Sequence, residues 1–416
     1  MDEKCLNPFK INKYWQNQEP CYFSSVENNI KFEDKYFPKD NTWKRISEIN
    51  PNFEVFENNT TKYYEIKQGS AKDCSFISVL ASLSKFPNLI KQKFRKTFTQ
   101  TGYYEIILFI DGEWQIVFVD DYFPFDTRNT FKYGRPNGNA IWGILLEKAW
   151  AKLNGGYSNL GNKCMINSTT ALLGIPSEFY PHRGVSTSQL FPRILKSINQ
   201  GQLLTGSTLH NMSEEGKRLG LSGFHSYSIR NAVRINSRTG EELQLICLYD
   251  PHGKVSWTGD WSEQSELWDT QLKSSLLNSD DKRYIFWMNS HDYFKYFCET
   301  LICYLPFGQH IRNFYFDNPI YYKIPIIFRV TINKKSKFAI RVFFKGKQSN
   351  KDNQSCCACS CLLFQLGYPI TKKFDQWSNV FPINLEKNLD SGEYIVWVFN
   401  YGDKQSKEKH YVYERG

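Results

Sequence analysis

The sequence predicts an α+β fold, and three patterns carry that expectation. A polar loop, Gln68-Gly69-Ser70-Ala71-Lys72-Asp73-Cys74, runs into a helix pattern in which Phe76, Val79, Leu80 and Leu83 recur at i, i+3, i+4 and i+7. Two strand-like runs, 103–109 and 115–119, flank Asp111-Gly112, a strong hairpin signal. Beyond about residue 165 strands dominate, with runs 226–235 and 242–249 rich in β-branched or apolar residues. The first part of the chain is therefore helix-rich with one hairpin, and the second is strand-rich.

Residues 1–27 are polar without periodicity and read as an N-terminal arm. An irregular aromatic segment then leads to the Cys74 loop. Pro87 stops the helix that starts at Cys74. Residues 141–153 form an amphipathic helix ended by Asn154-Gly155-Gly156. Gly174-Ile175-Pro176 breaks the pattern, and a helix covers 186–197. The two later strands turn near 236–240.

Length and composition narrow the function classes. A chain of 416 residues holds two or three domains, and 41% hydrophobic residues suffice for real cores. The net charge of +10, from 52 basic and 42 acidic residues, is mild for this length and forms no long basic block. A solvated surface accounts for it, and no nucleic-acid partner is expected. Eleven cysteines lack a framework spacing, the N-terminus lacks a signal-peptide core, and no apolar run approaches the roughly 20 residues of a membrane helix. A reduced, cytoplasmic protein is expected.

In such a compartment a thiolate nucleophile survives. Cys74 opens a helix, where the backbone dipole stabilises a thiolate, and Gln68 lies close enough to aim its amide at an oxyanion beside that sulfur. The same residues also fit a buried cysteine that starts a core helix. For the later hairpin, a turn centred between residues 237 and 238 gives paired residues an index sum of 475, and 225 + 250 = 475. His225 and Asp250 should therefore face each other within a residue of register. A histidine held by a carboxylate is the arrangement that activates a cysteine. The competing account is a surface histidine beside a loop aspartate.

Taken together these residues resemble the calpain family of cysteine proteases. Gln68-Gly69, Asp73-Cys74 and Ala81-Ser82-Leu83 are similar to its nucleophile motif. Leu145-Leu146-Glu147-Lys148-Ala149 with Ala151-Lys152-Leu153-Asn154-Gly155 is similar to its L-L-E-K-A-Y-A-K-L-N-G helix. Gly220-Leu221, His225 and Tyr227-Ser228 resemble the histidine motif. Asp250-Pro251 with Gly253, Trp257-Thr258-Gly259 and Trp261-Ser262, then Phe286-Trp287-Met288, continue the likeness. So does the lead-in of Phe32-Glu33-Asp34, Phe37-Pro38, Trp43 and Arg45. The resemblance implies a papain-like core in two lobes, 28–164 with Cys74 and Gln68 and 165–311 with His225 and Asp250. An antiparallel β-sandwich of the C2-like calpain third-domain type follows over 312–416. Strand-like runs at 324–332, 338–344, 361–366 and 394–400 fit that sandwich, and no EF-hand pattern occurs after it.

Four positions depart from the family pattern. Asp250 stands where the family has Asn, Lys72 where it has Gly, Ser75 where it has Trp and His252 where it has Trp. Loss of the two tryptophans should make the site wetter. Lys72 can lower the thiol's pKa through its charge, while its bulk crowds the backbone. The family's calcium positions fare worse. Glu65 replaces Asp and could still ligate, but Ser158, Ser256, Glu263, Arg283 and Ile285 replace or alter the other acidic ligands. Ca²⁺ needs six to eight oxygens, so no metal site and no cofactor requirement are expected. Calcium itself enters only through the resemblance. The cluster Cys356-Cys357-Ala358-Cys359-Ser360-Cys361 has no second ligand pair and reads as a loop entering a strand. The expected activity is a calpain-like cysteine endopeptidase acting on intracellular proteins, weakly or not calcium-dependent. The alternative is a catalytically silent calpain fold that binds protein partners, cytoskeletal ones among them.

Overall fold

The computed structural model describes residues 31–37, 39–110, 113–161, 165–175, 177–236, 240–253, 257–277, 284–305, 326–342, 357–365, 376–378 and 383–403. The N-terminal arm, the Asp111-Gly112 turn, Ser256, Arg283 and Cys356 lie outside them. The chain divides into two compact units, Met1–Gly308 and Gln309–Gly416. Among the described residues no helix is long and apolar enough to cross a membrane.

The first unit holds two main cores. The first is built on helix α1 (Cys74–Leu83), whose residues from Ser75 to Leu83 are all buried. The helix is therefore central rather than amphipathic. Phe76 stacks on Trp150 at 5.4 Å. The small hydroxyls of α1 let it be buried without orphaned groups. Ser82 donates to the carbonyl of Leu204 at 2.9 Å and shares a hydrogen bond with Ser228 at 2.6 Å. The helix ends at Leu83 with Ser84 as its cap, and Pro87 opens the next short helix at its first position.

Strands β1 (Phe94–Phe98), β2 (Tyr103–Ile110) and β3 (Glu113–Asp120) form an antiparallel sheet in that order. Helix α2 (Trp142–Leu153) packs on it and is ended by Gly155 and Gly156 at φ 79° and 120°. The lead-in residues anchor this core through buried pairs. Arg45 binds Asp121 and the carbonyl of Phe32, and Lys152 reaches Asp34 at 2.9 Å. Helix α3 (Met165–Leu173) buries Ala171, Leu172 and Leu173 in the first core. Met165 and Thr169 of the same helix also meet the second core, at Thr205 and Ser177.

The second core is a six-stranded antiparallel sheet of β4 (Ser177–Pro181), β5 (Leu203–Thr208), β6 (Ser226–Asn236), β7 (Glu242–Tyr249), β8 (Ile285–Asn289) and β9 (Phe297–Cys303). Its spatial order is β8-β7-β6-β5-β9-β4. Helix α4 (Thr187–Asn199) lays Leu190, Phe191 and Ile194 into this core, and Ser186 with Gln189 closes its N-terminus as a capping box.

The β6–β7 register differs from the sequence expectation. Asn236 pairs with Glu242, a sum of 478, and Ser228 pairs with Tyr249, a sum of 477. A bulge at Arg230 separates the two registers. The Arg230 guanidinium leaves the hairpin to donate to the carbonyl of Ala81 at 2.6 Å, at the end of α1.

In the second unit, β10 (Ile326–Ile332), β11 (Ser336–Val342), β12 (Cys357–Gln365), β13 (Gln376–Ser378), β14 (Ile383–Leu389) and β15 (Gly392–Asp403) pair antiparallel. They form a four-stranded sheet, β10-β15-β12-β13, and a β11-β14 pair. Leu389, Tyr394 and Val396 are buried. Most of the cysteine cluster lies within β12 rather than in a preceding loop: the strand begins at Cys357 and pairs with β15 along its length.

Candidate active site

The four expected site residues come from three neighbouring segments. Gln68 and Cys74 bracket the loop before α1, and Cys74 is the first residue of that helix. His225 directly precedes β6, and Asp250 directly follows β7. In the observed register the position opposite His225 is 477 − 225 = 252, not 250. Asp250 nonetheless reaches the histidine: His225 Nε2–H donates to Asp250 Oδ1 at 2.9 Å. The backbone N–H of His225 is held by Thr208 Oγ1 at 3.0 Å, and Tyr227 meets its ring edge-on.

With Nε2 committed to Asp250, the other imidazole nitrogen faces Cys74, and the two side chains are hydrogen-bonded. Burial raises the Cys74 pKa. The hydrogen bond and charge of His225, with hydrogen bonds from Ser226, outweigh it and lower the thiol below its usual value. His225 shows the reciprocal effect. Burial lowers it, but Asp250 and Cys74 carry it up to about 9. Both shifts favour a thiolate–imidazolium pair over the neutral one. Asp250 is buried, yet His225 and His252 hold its carboxyl well below the usual range. Cys247 is the internal contrast, since burial pushes that thiol up to about 12.

The sequence-level departures take on definite roles. Lys72 sits at φ 54° with its side chain exposed, which accounts for glycine at this position in the resemblance. It is not among the main causes of the Cys74 shift. The expectation of a wetter site does not hold. Ser75 is buried, His225 is only 4% exposed, and the ring of His252 lies flat over His225 at 4.0 Å with an interplanar angle of 2°. His252 thus occupies the covering position with a smaller aromatic ring. Phe224, beside the catalytic candidate, is 59% exposed at φ 49° and packs on His210 at 4.8 Å.

Gln68 is buried, and its Oε1 accepts no hydrogen bond. The loop's position comes from its backbone, since Gln68 N–H donates to Pro251 O at 2.8 Å. Gly69 leaves no room for a side chain, because a Cβ there would lie 2.0 Å from Tyr133 O.

One feature escaped sequence reasoning. Asp73 and Glu147 are both fully buried and face each other behind Cys74. Gly134 N–H donates to both Glu147 oxygens, at 2.9 and 3.0 Å. Neither Asp73 oxygen has another partner. Burial raises Asp73 to about 6, and burial plus Asp73 raises Glu147 well above its usual value. A single proton held between the two carboxyls satisfies both. The signal in the sequence was Glu147, an acidic residue inside the apolar helix pattern 141–153; Asp73, in a polar loop, gave none.

Of the calcium positions implied by the resemblance, the described ones are Glu65, Ser158, Glu263 and Ile285. Glu65 Oε2 accepts from Trp142 Nε1 at 2.6 Å and Lys62 N–H at 2.8 Å, and burial raises its pKa. Only its buried Oε1 lacks a partner, and Ser158 adds a neutral hydroxyl. In the second core Glu263 is exposed and Ile285 packs against an apolar cluster. His225, Asp250 and His252 bring their ligand atoms within 4.8 Å of one another. Their parallel rings, however, do not aim their lone pairs at a common point.

Comparison with known proteins places the chain in a family. Residues 19–304 match the calpain family cysteine protease domain. The chain is 31% identical over 279 residues to the calpain-1 catalytic subunit of Homo sapiens, covering 63% of this chain and 37% of that one. It is 33% identical over 276 residues to calpain-8 of Mus musculus, covering 63% and 38% respectively. With the calpain-1 catalytic subunit of Rattus norvegicus, 26% identity extends over 322 residues, 69% of this chain and 44% of that one. The chain thus spans less than half the length of these relatives. The match across both cores, with a cysteine at the head of α1 and a histidine at the start of β6, means that this chain belongs to the calpain family of cysteine proteases.

Proposed function

We propose that the chain is a calpain-type cysteine endopeptidase that cleaves intracellular proteins by thiolate attack and does not require calcium. One observation carries the proposal. Cys74 on the first core and His225–Asp250 on the second form one continuous hydrogen-bonded line across the cleft. The cores are also tied beside it, where segment 66–68 meets segment 249–251, by Gln68 N–H to Pro251 O at 2.8 Å and by Tyr249 Oη–H to Ile66 O at 3.2 Å. This supports an aligned site that needs no ion to assemble it.

In the proposed mechanism Cys74 Sγ attacks the scissile carbonyl carbon and the carbonyl π pair moves to oxygen. The oxyanion is received by the N–H of Cys74, free at the head of its helix, and by the Gln68 amide. The His225 imidazolium gives its proton to the leaving nitrogen as the C–N bond breaks, leaving a thioester. Water then attacks, His225 takes its proton, the C–S bond breaks and the thiolate returns. Asp250 keeps the imidazole oriented throughout.

The unit Gln309–Gly416 is read as a calpain-type C2-like β-sandwich, on the basis of its antiparallel strands. Free cysteines such as Cys74 and Cys247 fit a reducing cytoplasmic setting. A second reading, a silent calpain fold that binds a cytoskeletal or other protein partner, draws on the strained, exposed Phe224 beside His225.

The test is labelling by an epoxysuccinyl cysteine-protease inhibitor, with calcium and with chelator, and Cys74→Ala as control. Equal labelling at Cys74 in both conditions is the expected result. Labelling only with calcium overturns the calcium-independent part, and no labelling in either condition favours the binding protein.

A further inference from the structure

We infer that Glu147 is a positioning residue for the proposed oxyanion site, and that its carboxyl fixes the spacing of the two donors there, the Gln68 amide and the Cys74 N–H. The inference rests on the proposed cysteine-protease function. It starts from a register. Segment 132–137 runs antiparallel to segment 65–70, with Ile66 paired to Pro136 and Lys67 to Arg135. At one end Asn137 N–H donates to Glu65 O at 2.8 Å, and at the other Ser70 N–H donates to Lys132 O at 3.1 Å. Each of these pairs has an index sum of 202, so Gly134 stands opposite Gln68 (202 − 68 = 134).

At that pair both backbone N–H groups leave the ladder. Gln68 N–H goes to Pro251 O at 2.8 Å, and Gly134 N–H goes to the two Glu147 oxygens at 2.9 and 3.0 Å. Glycine keeps this second route open, because a Cβ at Gly134 would lie 2.4 Å from Glu147 Oε2. The neighbouring pairs leave little slack. Gly69 is pressed on Tyr133 O, and Ser70 Oγ–H adds a bond to Lys132 O at 2.7 Å. The Tyr133 ring stacks at 4.1 Å on Tyr157, just past the end of α2. Segment 132–134 is thus anchored to α2 and its end, and the loop 68–70 is anchored to that segment.

The same carboxyl is hydrogen-bonded to Asp73, the residue directly before Cys74. Glu147 and Asp73 are both fully buried, and hydrogen bonds removed from water are costly to break. One side chain therefore holds the residue opposite Gln68 and the residue that leads into Cys74. Glu147 itself touches no substrate. It acts through the backbone that presents the two donors. Such donors work only at the place where the oxyanion's charge develops, and a displacement of about 1 Å can cost on the order of 10²-fold in rate.

The experiment compares the full chain as wild type, Glu147→Leu, Glu147→Gln and Gly134→Ala. Two rates are measured: hydrolysis of fluorescein-labelled casein, and the plateau rate of Cys74 alkylation by iodoacetamide. Alkylation is a displacement at carbon that develops no oxyanion, so it reads the thiolate without the donors. Glu147→Leu and Gly134→Ala should lose roughly 10–10²-fold in kcat with KM unchanged, while their alkylation plateau stays at the wild-type level. Glu147→Gln can accept from Gly134 and donate to Asp73, and should keep kcat. Gly134→Ala leaves every residue of α2 in place and decides the matter if Glu147→Leu does not fold. Cleavage and alkylation falling together, cleavage unchanged in the variants, or Glu147→Gln as slow as Glu147→Leu each overturn the inference and leave the protease function standing. A wild type that neither alkylates fast nor cleaves overturns both.

Discussion

The backbone N–H of Gln68 donates to the carbonyl oxygen of Pro251 at 2.8 Å. This bond ties the loop that leads to Cys74 to the turn that carries Asp250 and His252. The loop that carries Gln68 and the turn that carries Asp250 are therefore joined by one backbone hydrogen bond. The bond uses only backbone atoms, so side-chain replacements at Gln68 probe chemistry without cutting it.

Gln68→Ala should accordingly leave the fold intact while lowering kcat about 10²–10³-fold, the usual cost of one oxyanion donor. Thermal melts and peptide cleavage, measured on the same preparation, check this. A large loss of melting temperature would mean that the side chain is structural.

Against the lowering effect of burial, Asp250 and Cys74 together raise His225 to about 9 by hydrogen bond and charge. Asp250→Ala should bring the alkaline limb of Cys74 alkylation down toward the ordinary histidine range and cut peptide cleavage by about 10²-fold or more. Asp250→Asn keeps the hydrogen bond without the charge and should fall between the two. The folded-state value of His225 lies above its unfolded value. The stability it contributes is therefore fully present below about pH 6.5 and lost as pH rises through about 9.

The Asp73–Glu147 pair gives a second pH signature, on stability. Asp73 is raised to about 6 and Glu147 is raised further by burial and by Asp73. Their shared proton stabilises the folded chain below the ordinary carboxylate range near pH 4. That contribution declines as pH rises through about 6 and beyond, at up to about 1.4 kcal/mol per pH unit for each proton. Glu147→Gln, which can still donate to Asp73, should flatten the decline and keep the fold. Glu147→Leu leaves Asp73 unpaired and should destabilise by about 3 kcal/mol. Melting temperatures between pH 4 and 8 separate the three proteins.

Two phenylalanines near the nucleophile should behave oppositely. Phe76 is fully buried and stacked on Trp150, so Phe76→Ala should cost about 3–5 kcal/mol. Phe224 is exposed at positive φ. Relief of roughly 1–2 kcal/mol of left-handed strain offsets the added chain entropy of glycine, so Phe224→Gly should change stability by less than about 1 kcal/mol. Denaturant melts give both values.

Calcium should leave the melting temperature unchanged, because an ion that binds only the folded chain would raise it in proportion to its affinity. A rise of several degrees at millimolar calcium would show that Glu65 and its neighbours ligate after all.

The setting of Cys74 is written in local sequence. A glycine-bearing polar loop followed by Phe76, Val79, Leu80 and Leu83 demands a helix that starts at Cys74, because local periodicity and the loop's composition fix both the element and its first residue. The same local rules made both hairpins legible, as well as the glycine-terminated α2. Three things emerged only in three dimensions. The bulge at Arg230 set the true register, since that residue's guanidinium reaches Ala81 on another element. That register placed His252 opposite His225, and a stack between residues 27 positions apart (252 − 225) leaves no periodic trace. The partnership of Asp73 with Glu147 depends on two helices meeting at their buried faces, where removal from water converts two ordinary carboxyls into one proton-sharing pair. Local sequence encodes which element forms. Burial and long-range register decide what each ionisable group does there.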